Sequence, residues 1–200
     1  MAFLTVISDG WVRRAVARLG LALWLGLALP VVAAAAAAPV PAAPSPEYQI
    51  KAVFLFNFAQ FVDWPAASFA DAQAPLVIGV LGEDPFGAQL DDAVRDEKIG
   101  TRSLQVKRYR RVDEIGACHI LFISASESGQ FDKILAALKG RSILTVGDTD
   151  GFNRAGGMVR FLTENKKIRL RINVEAAKAV DLIISSKLLK PSAIFNPGKD

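Results

Sequence analysis

From residue 47 onward the chain alternates between two hydrophobic patterns. Ile50, Val53, Phe54, Phe58, Phe61 and Val62 recur at three- and four-residue intervals, which predicts a helix over Glu47–Trp64. Leu55 and Phe56 add apolar surface on the other side. This helix is therefore expected to be buried nearly all round or to lie partly at an interface. Pro65 ends it, because the residue before a proline is pushed out of the helical region. Leu76–Leu81 (LVIGVL) is a continuous apolar run closed by Gly82, the pattern of a strand buried on both faces. Pro85 and Phe86 open a second helix to about Glu97, with Leu90 and Val94 inward. Ser103–Tyr109 alternates like a strand. A short turn or helix over Val112–Gly116 precedes a buried strand at His119–Ile123. Ser124 or Ser126 can cap the next helix, which carries Ile134, Leu135 and Leu138 inward and stops at Gly140. Ile143–Val146 is a further strand.

The pattern then changes. Met158–Leu162 and Lys167–Ile172 are two strands joined by the polar turn Thr163–Lys166, which predicts a hairpin. Asn173 can cap a last helix to about Val180, and Lys187–Lys190 is broken by Pro191. Strands alternating with helices predict an α/β, Rossmann-like layered domain. Its mostly parallel sheet is flanked by helices, with a C-terminal β-hairpin and a final helix. This domain is assigned to residues 47–190, and residues 191–200 are expected to form a flexible tail.

The first residues follow other rules. Arg13, Arg14 and Arg18 precede the uncharged run Leu19–Ala38, which ends in an alanine tract and is followed by Pro39, Pro41, Pro44 and Pro46. A positive start, an apolar middle and a small-residue end describe a secretory signal peptide over residues 1–37, with an Ala/Pro-rich linker over 38–46. The run is also long enough to anchor in a bilayer, but Pro30 and the alanines weaken that reading. Export places the protein in the periplasm of a cell with an outer membrane.

Composition narrows the function. At 52% hydrophobic and 22% charged over 200 residues, the chain is not intrinsically disordered. One cysteine, Cys118, excludes an intramolecular disulfide and any cysteine-clustered metal site. In an oxidising compartment Cys118 is either buried and inert or paired with another chain. One histidine, His119, excludes sites needing two. The net charge is +4, part of it in the N-terminal segment, so this is not a nucleic-acid-binding balance. Two basic clusters, Lys107–Arg111 and Lys166–Arg171, read as solvated faces.

Motifs for chemistry are absent or incomplete. GVLGEDPFG (79–87) is not the glycine fingerprint of dinucleotide sites. Asp148-Thr149-Asp150-Gly151 lacks the later oxygen ligands of a calcium loop. No G-x-S-x-G elbow occurs, and His119 opens its strand instead of lying in a loop at its end, so a serine triad lacks a base. No cofactor, metal or catalytic residue is assigned. Gly156-Gly157 allows a sharp turn into the hairpin. Phe152, Met158, Phe161 and Ile168, in or beside the hairpin, either form a patch for a partner or pack under the final helix.

Several blocks in order resemble the YfiR family of exported proteins. They are Tyr48–Pro65 (YQIKAVFLFNFAQFVDWP), Ile78–Gly82 with Asp84–Gly87, Cys118–Ser124, and Leu144–Val146 with Asp148. Gly151-Phe152 with Gly156–Met158, Lys167–Asn173 with Ala176-Ala177, and Ile184–Leu189 complete the set. The resemblance implies a non-enzymatic periplasmic repressor. Its partner would be an inner-membrane diguanylate cyclase of YfiN type, or another membrane sensor, with cyclic di-GMP and biofilm formation as the output. It also implies release by an outer-membrane lipoprotein of YfiB type, and a homodimer. Some members carry redox-sensitive intramolecular disulfides, which Cys118 alone cannot form. Switching such a partner from mostly on to mostly off takes roughly 5 kcal/mol of differential binding. The anchors expected to supply it are Phe152, Met158, Phe161, Glu164 and Ile168. A second reading is a periplasmic small-molecule-binding protein, with its crevice at the loops after Leu81 and Ile123.

Overall fold

A computed structural model describes residues 45–198. The segment read as a signal peptide lies outside the described residues. Helix α1 (Pro46–Phe61) starts with proline in its first turn, where the missing N–H goes unneeded. It gives way at β1 (Val62–Asp63), ahead of Pro65. The chain continues through β2 (Leu76–Leu81), α2 (Ala88–Val94), β3 (Lys98–Ile99), β4 (Arg102–Tyr109) and β5 (Ile120–Ile123). A 3-10 turn (Ala125–Gln130) leads into α3 (Phe131–Ala137). Then come β6 (Leu144–Gly147), β7 (Val159–Glu164), β8 (Lys167–Ile172), α4 (Val174–Lys178), β9 (Ile183–Ile184), α5 (Ser186–Leu189) and β10 (Ala193–Ile194).

Eight strands form one sheet in the order β10-β8-β7-β6-β5-β2-β4-β3. Strands β2, β4, β5, β6 and β7 run parallel, while β8 returns antiparallel to β7 and β3 antiparallel to β4. The protein is thus a mixed α/β fold with a mostly parallel central sheet flanked by helices. The hairpin turn has positive φ at both Asn165 (50°) and Lys166 (60°), the twist that two-residue hairpins require.

Two cores sit on opposite faces of the sheet. One packs α1 (Ala52, Leu55, Phe58) and Leu90 against Ile78, Val80, Ile120, Phe122, Val159 and Phe161. The other packs α3 (Phe131, Ile134) and Leu138 against Leu81, Leu121, Ile123 and Phe152. Strands β2, β5 and β6 lie between them with every residue buried, and their one polar side chain, Thr145, accepts from Met158 N–H.

Three expectations change. The inward face of α1 is Lys51, Ala52, Leu55, Phe58 and Ala59, whereas Ile50 and Val53 are half exposed. The helix is apolar all round, so periodicity does not select the buried side. The stretch after Ser124 is a 3-10 turn before a short helix, not one long helix. The tail is also partly ordered. Ala193 and Ile194 pair with Arg171 and Ile172 of β8, and Phe195 is buried.

Candidate functional site

The five residues expected as anchors are not one surface. Phe152 and Phe161 are fully buried and Met158 nearly so; Glu164 is exposed and Ile168 half-buried at the hairpin tip. Strand alternation explains Phe161, which shares the inward face with Val159 and stacks on Phe58 of α1 at 5.9 Å. Phe152 fills a slot made by glycines. A Cβ on Gly147 would lie 2.9 Å from its ring, and one on Gly157 would collide with it. The ring also meets Phe131 edge-on at 5.2 Å. The glycine pair therefore divides its work: Gly156 takes the left-handed φ of 105°, and Gly157 leaves room for Phe152. Of the expected anchors, only Glu164 and Ile168 reach solvent in this conformation.

A buried charge cluster joins α1 to the strand ends. Lys51 is only 3% exposed, and its Nζ donates to Asp148 (2.7 Å) and Glu47 (2.6 Å). The Tyr48 hydroxyl donates to the same Asp148 oxygen at 2.9 Å. Thr163, at the end of β7, donates to Glu47 at 3.1 Å. The bond to Lys51 holds the Glu47 carboxyl below its usual range, while burial, then Asp148, pushes the Tyr48 phenol up. A buried ion pair is tolerated where its remaining bonds are made, as here. Asp148 is thereby committed to Lys51 and Tyr48, and Asp150 to Arg160. Among the described residues no group of three or more His, Cys, Asp or Glu is placed to hold a metal ion. This cluster went unread in the sequence, although Lys51 stands on one stripe with Leu55, Phe58 and Val62, where a lone charge needs a partner.

Cys118 and His119 are both structural. The Cys118 thiol lies over Gly79 and donates to the Ile120 carbonyl at 3.2 Å. Burial pushes it up to about 12, so it stays protonated and shielded from thiol exchange. His119 is 2% exposed. Its Nδ1 accepts from Val77 N–H (3.0 Å), and its Nε2 donates to the Ser68 carbonyl (3.1 Å). The ring stacks on Phe69 at 4.3 Å. Burial lowers its proton affinity. It is the neutral tautomer with hydrogen on Nε2, at the opposite end of β5 from Ser124.

The crevice expected after Leu81 and Ile123 is occupied by the protein's own side chains. Phe86 is fully buried between Tyr48 (5.3 Å) and Phe122 (4.8 Å), and Ser126 Oγ accepts from Glu83 N–H at 3.0 Å. A cleft of about 520 Å³ opens elsewhere, between α3 and α4, lined by Leu135, Leu138, Ile143, Met158 and Val180 with Lys139 and Arg141 at hand.

A family model described as YfiR/HmsC-like matches residues 48–192, nearly all of the described chain. No curated protein matches. Among solved structures, the ABC domain in complex with L-Trp from Streptococcus pneumonia aligns with a TM-score of 0.45 and 10% identity, over 60% of this chain. The aligned part spans 55% of that structure.

Proposed function

This chain belongs to the YfiR/HmsC-like family, and from that premise we propose that it is a periplasmic regulator of cyclic di-GMP signalling. In this reading it binds the periplasmic part of an inner-membrane diguanylate cyclase, or another membrane sensor, and favours the inactive state. The family match over residues 48–192 carries the reading. Two further observations support it. Glu47, Tyr48, Asp148 and the His119 imidazole are committed to structural bonds, and no helix among the described residues is long and apolar enough to cross a membrane. The partner surface we propose includes the hairpin tip, where Glu164 and Ile168 are accessible and Thr163 is tied to α1. Release by an outer-membrane lipoprotein and association into a homodimer complete the proposal.

The test is crosslinking in intact cells with the tagged, exported protein, followed by mass spectrometry. Capture of an integral-membrane cyclase or kinase is the expected result. Correct export and folding without any membrane partner would overturn the reading. The cleft between α3 and α4 favours a second reading, a small-molecule-binding protein, because its volume lies in the range of ligand sites. Calorimetry with a metabolite panel separates the two, since only this second reading demands a ligand.

A further inference from the structure

We propose that the outer face of the β7–β8 hairpin is a docking surface for the carboxylates of an acidic partner protein, bound by Arg154, Arg160, Arg169 and Arg171. This rests on the reading above, that the chain works by binding another protein, and adds the chemistry of the contact. No residue of β7 or β8 belongs to the core beneath α3, so among the described residues no helix packs apolar side chains on this face. Arg160 and Arg171 stand directly opposite each other in the ladder, and Leu162 opposite Arg169. Alternation puts all four on the outer side. Like charges directly opposed destabilise a sheet.

Arg154 joins from the preceding loop. With Gly151, Asn153 and Phe195, the three arginines 154, 160 and 171 line a recess of about 20 Å³. That holds one water and no organic ligand, so whatever is recognised must approach from outside. Two buried atoms at this recess, Asn153 Oδ1 and Arg160 Nε, have no hydrogen-bond partner. Among the described residues the one carboxylate in an ion pair with these arginines is Asp150, which pairs with Arg160 and is itself 95% exposed. Arg154, Arg169 and Arg171 make no ion pair among the described residues. Asp150 thus shows the chemistry the face accepts and leaves most of its charge unanswered. Guanidinium forks match carboxylates in two-point geometry. A lipid surface suits freely projecting basic side chains. Here Arg154 and Arg169 are exposed, but the Arg160 side chain is 15% exposed and Arg171 is half-buried, and those two suit side chains inserted from a protein.

The experiment is fluorescence anisotropy with labelled poly-L-glutamate and the purified exported protein at low salt. Arg169→Glu/Arg171→Glu should weaken binding about tenfold or more, equal to about 1.4 kcal/mol. The milder Arg169→Ala/Arg171→Ala serves if the reversal unfolds, as judged by circular dichroism. Lys107→Glu/Arg110→Glu, matched in charge on β4 and just beyond it, should leave affinity within about twofold, and Asp150→Ala should strengthen it. No binding by the wild type, or equal losses in both reversed pairs, would overturn the proposal. Tighter binding of phosphatidylglycerol vesicles through the same arginines would overturn it in favour of a membrane. In the crosslinking assay, a partner still captured by the hairpin variant overturns the acidic dock and leaves the regulatory reading standing. Poly-glutamate binding without any captured partner does the reverse.

Discussion

The two halves of the sheet are built to different rules. Strands β2, β5 and β6 are covered on both faces, and every one of their residues is buried. The β7–β8 hairpin is covered on one face only, and its residues alternate between buried and accessible. The first half shows what hydrophobic burial does when nothing else constrains a strand: any apolar residue serves, and the run is continuous. The second half shows period-two selection, in which Val159, Phe161, Leu170 and Ile172 are held inward while Arg160, Arg169 and Arg171 are left outside. The contrast separates stability from recognition. Substitutions in the first half are expected to act on folding, and those on the outer face of the second on the proposed binding.

The largest effect should come from the doubly covered half. Phe122 is fully buried against Phe86, and Phe122→Ala is expected to lower unfolding free energy by about 3–5 kcal/mol in urea titrations. A loss below about 1 kcal/mol would mean that half is less tightly packed than described. Next is the seam between the halves. Asp148→Ala leaves Lys51 buried with only Glu47, at a cost of about 3 kcal/mol, whereas Lys51→Met replaces the charge with apolar volume and should be nearly neutral. Equal destabilisation by both would show that the ion pair itself stabilises the fold.

Gly157→Ala tests the point where the second helical layer ends. The new methyl meets the Phe152 ring, and a loss of about 1–3 kcal/mol is expected. Phe152→Leu in the same chain should recover part of it, measured as a rise in Tm. A smaller effect depends on pH. His119 is neutral in the fold and its proton affinity is depressed by burial, while the unfolded chain takes up a proton below about 6.5. Stability is therefore retained above that pH and lost as pH falls below it, toward the folded value, by at most about 1.4 kcal/mol per pH unit. The difference in pH slope between wild type and His119→Gln isolates it, and parallel slopes would remove His119 as the cause. Smallest of all, Arg169→Ala/Arg171→Ala should shift stability by no more than about 0.5 kcal/mol. The contrast is with the roughly tenfold loss of binding expected when the same two arginines are reversed to glutamate. The two numbers together test whether the outer face is an interface.

Much of the fold was legible before the structure. Leu76–Leu81 was read with its observed bounds, and the hairpin and the Asn173 cap, whose side chain accepts from Ala176 N–H at 3.0 Å, were read nearly so. The short pairings were not. Val62–Asp63 with Ile183–Ile184, and Ala193–Ile194 with β8, are two-residue ladders. Their residues carry no period of their own, and distant chain supplies the partner.

Local pattern determined where most strands and helices lie, because run length, β-branched residues and flanking glycine or proline separate a short buried strand from a helix. The resemblance across those segments also sufficed to point to the family. Three matters were decided by tertiary structure alone. The side of α1 that turns inward carries Lys51, and its partner Asp148 comes from 97 residues away. Phe152 became core because Gly147 and Gly157 leave a slot for its ring. The arginines of the hairpin became one face because strand register brought Arg160 opposite Arg171. In each case the deciding contact joins residues whose nearness no local period encodes, so only closure of the chain could supply it.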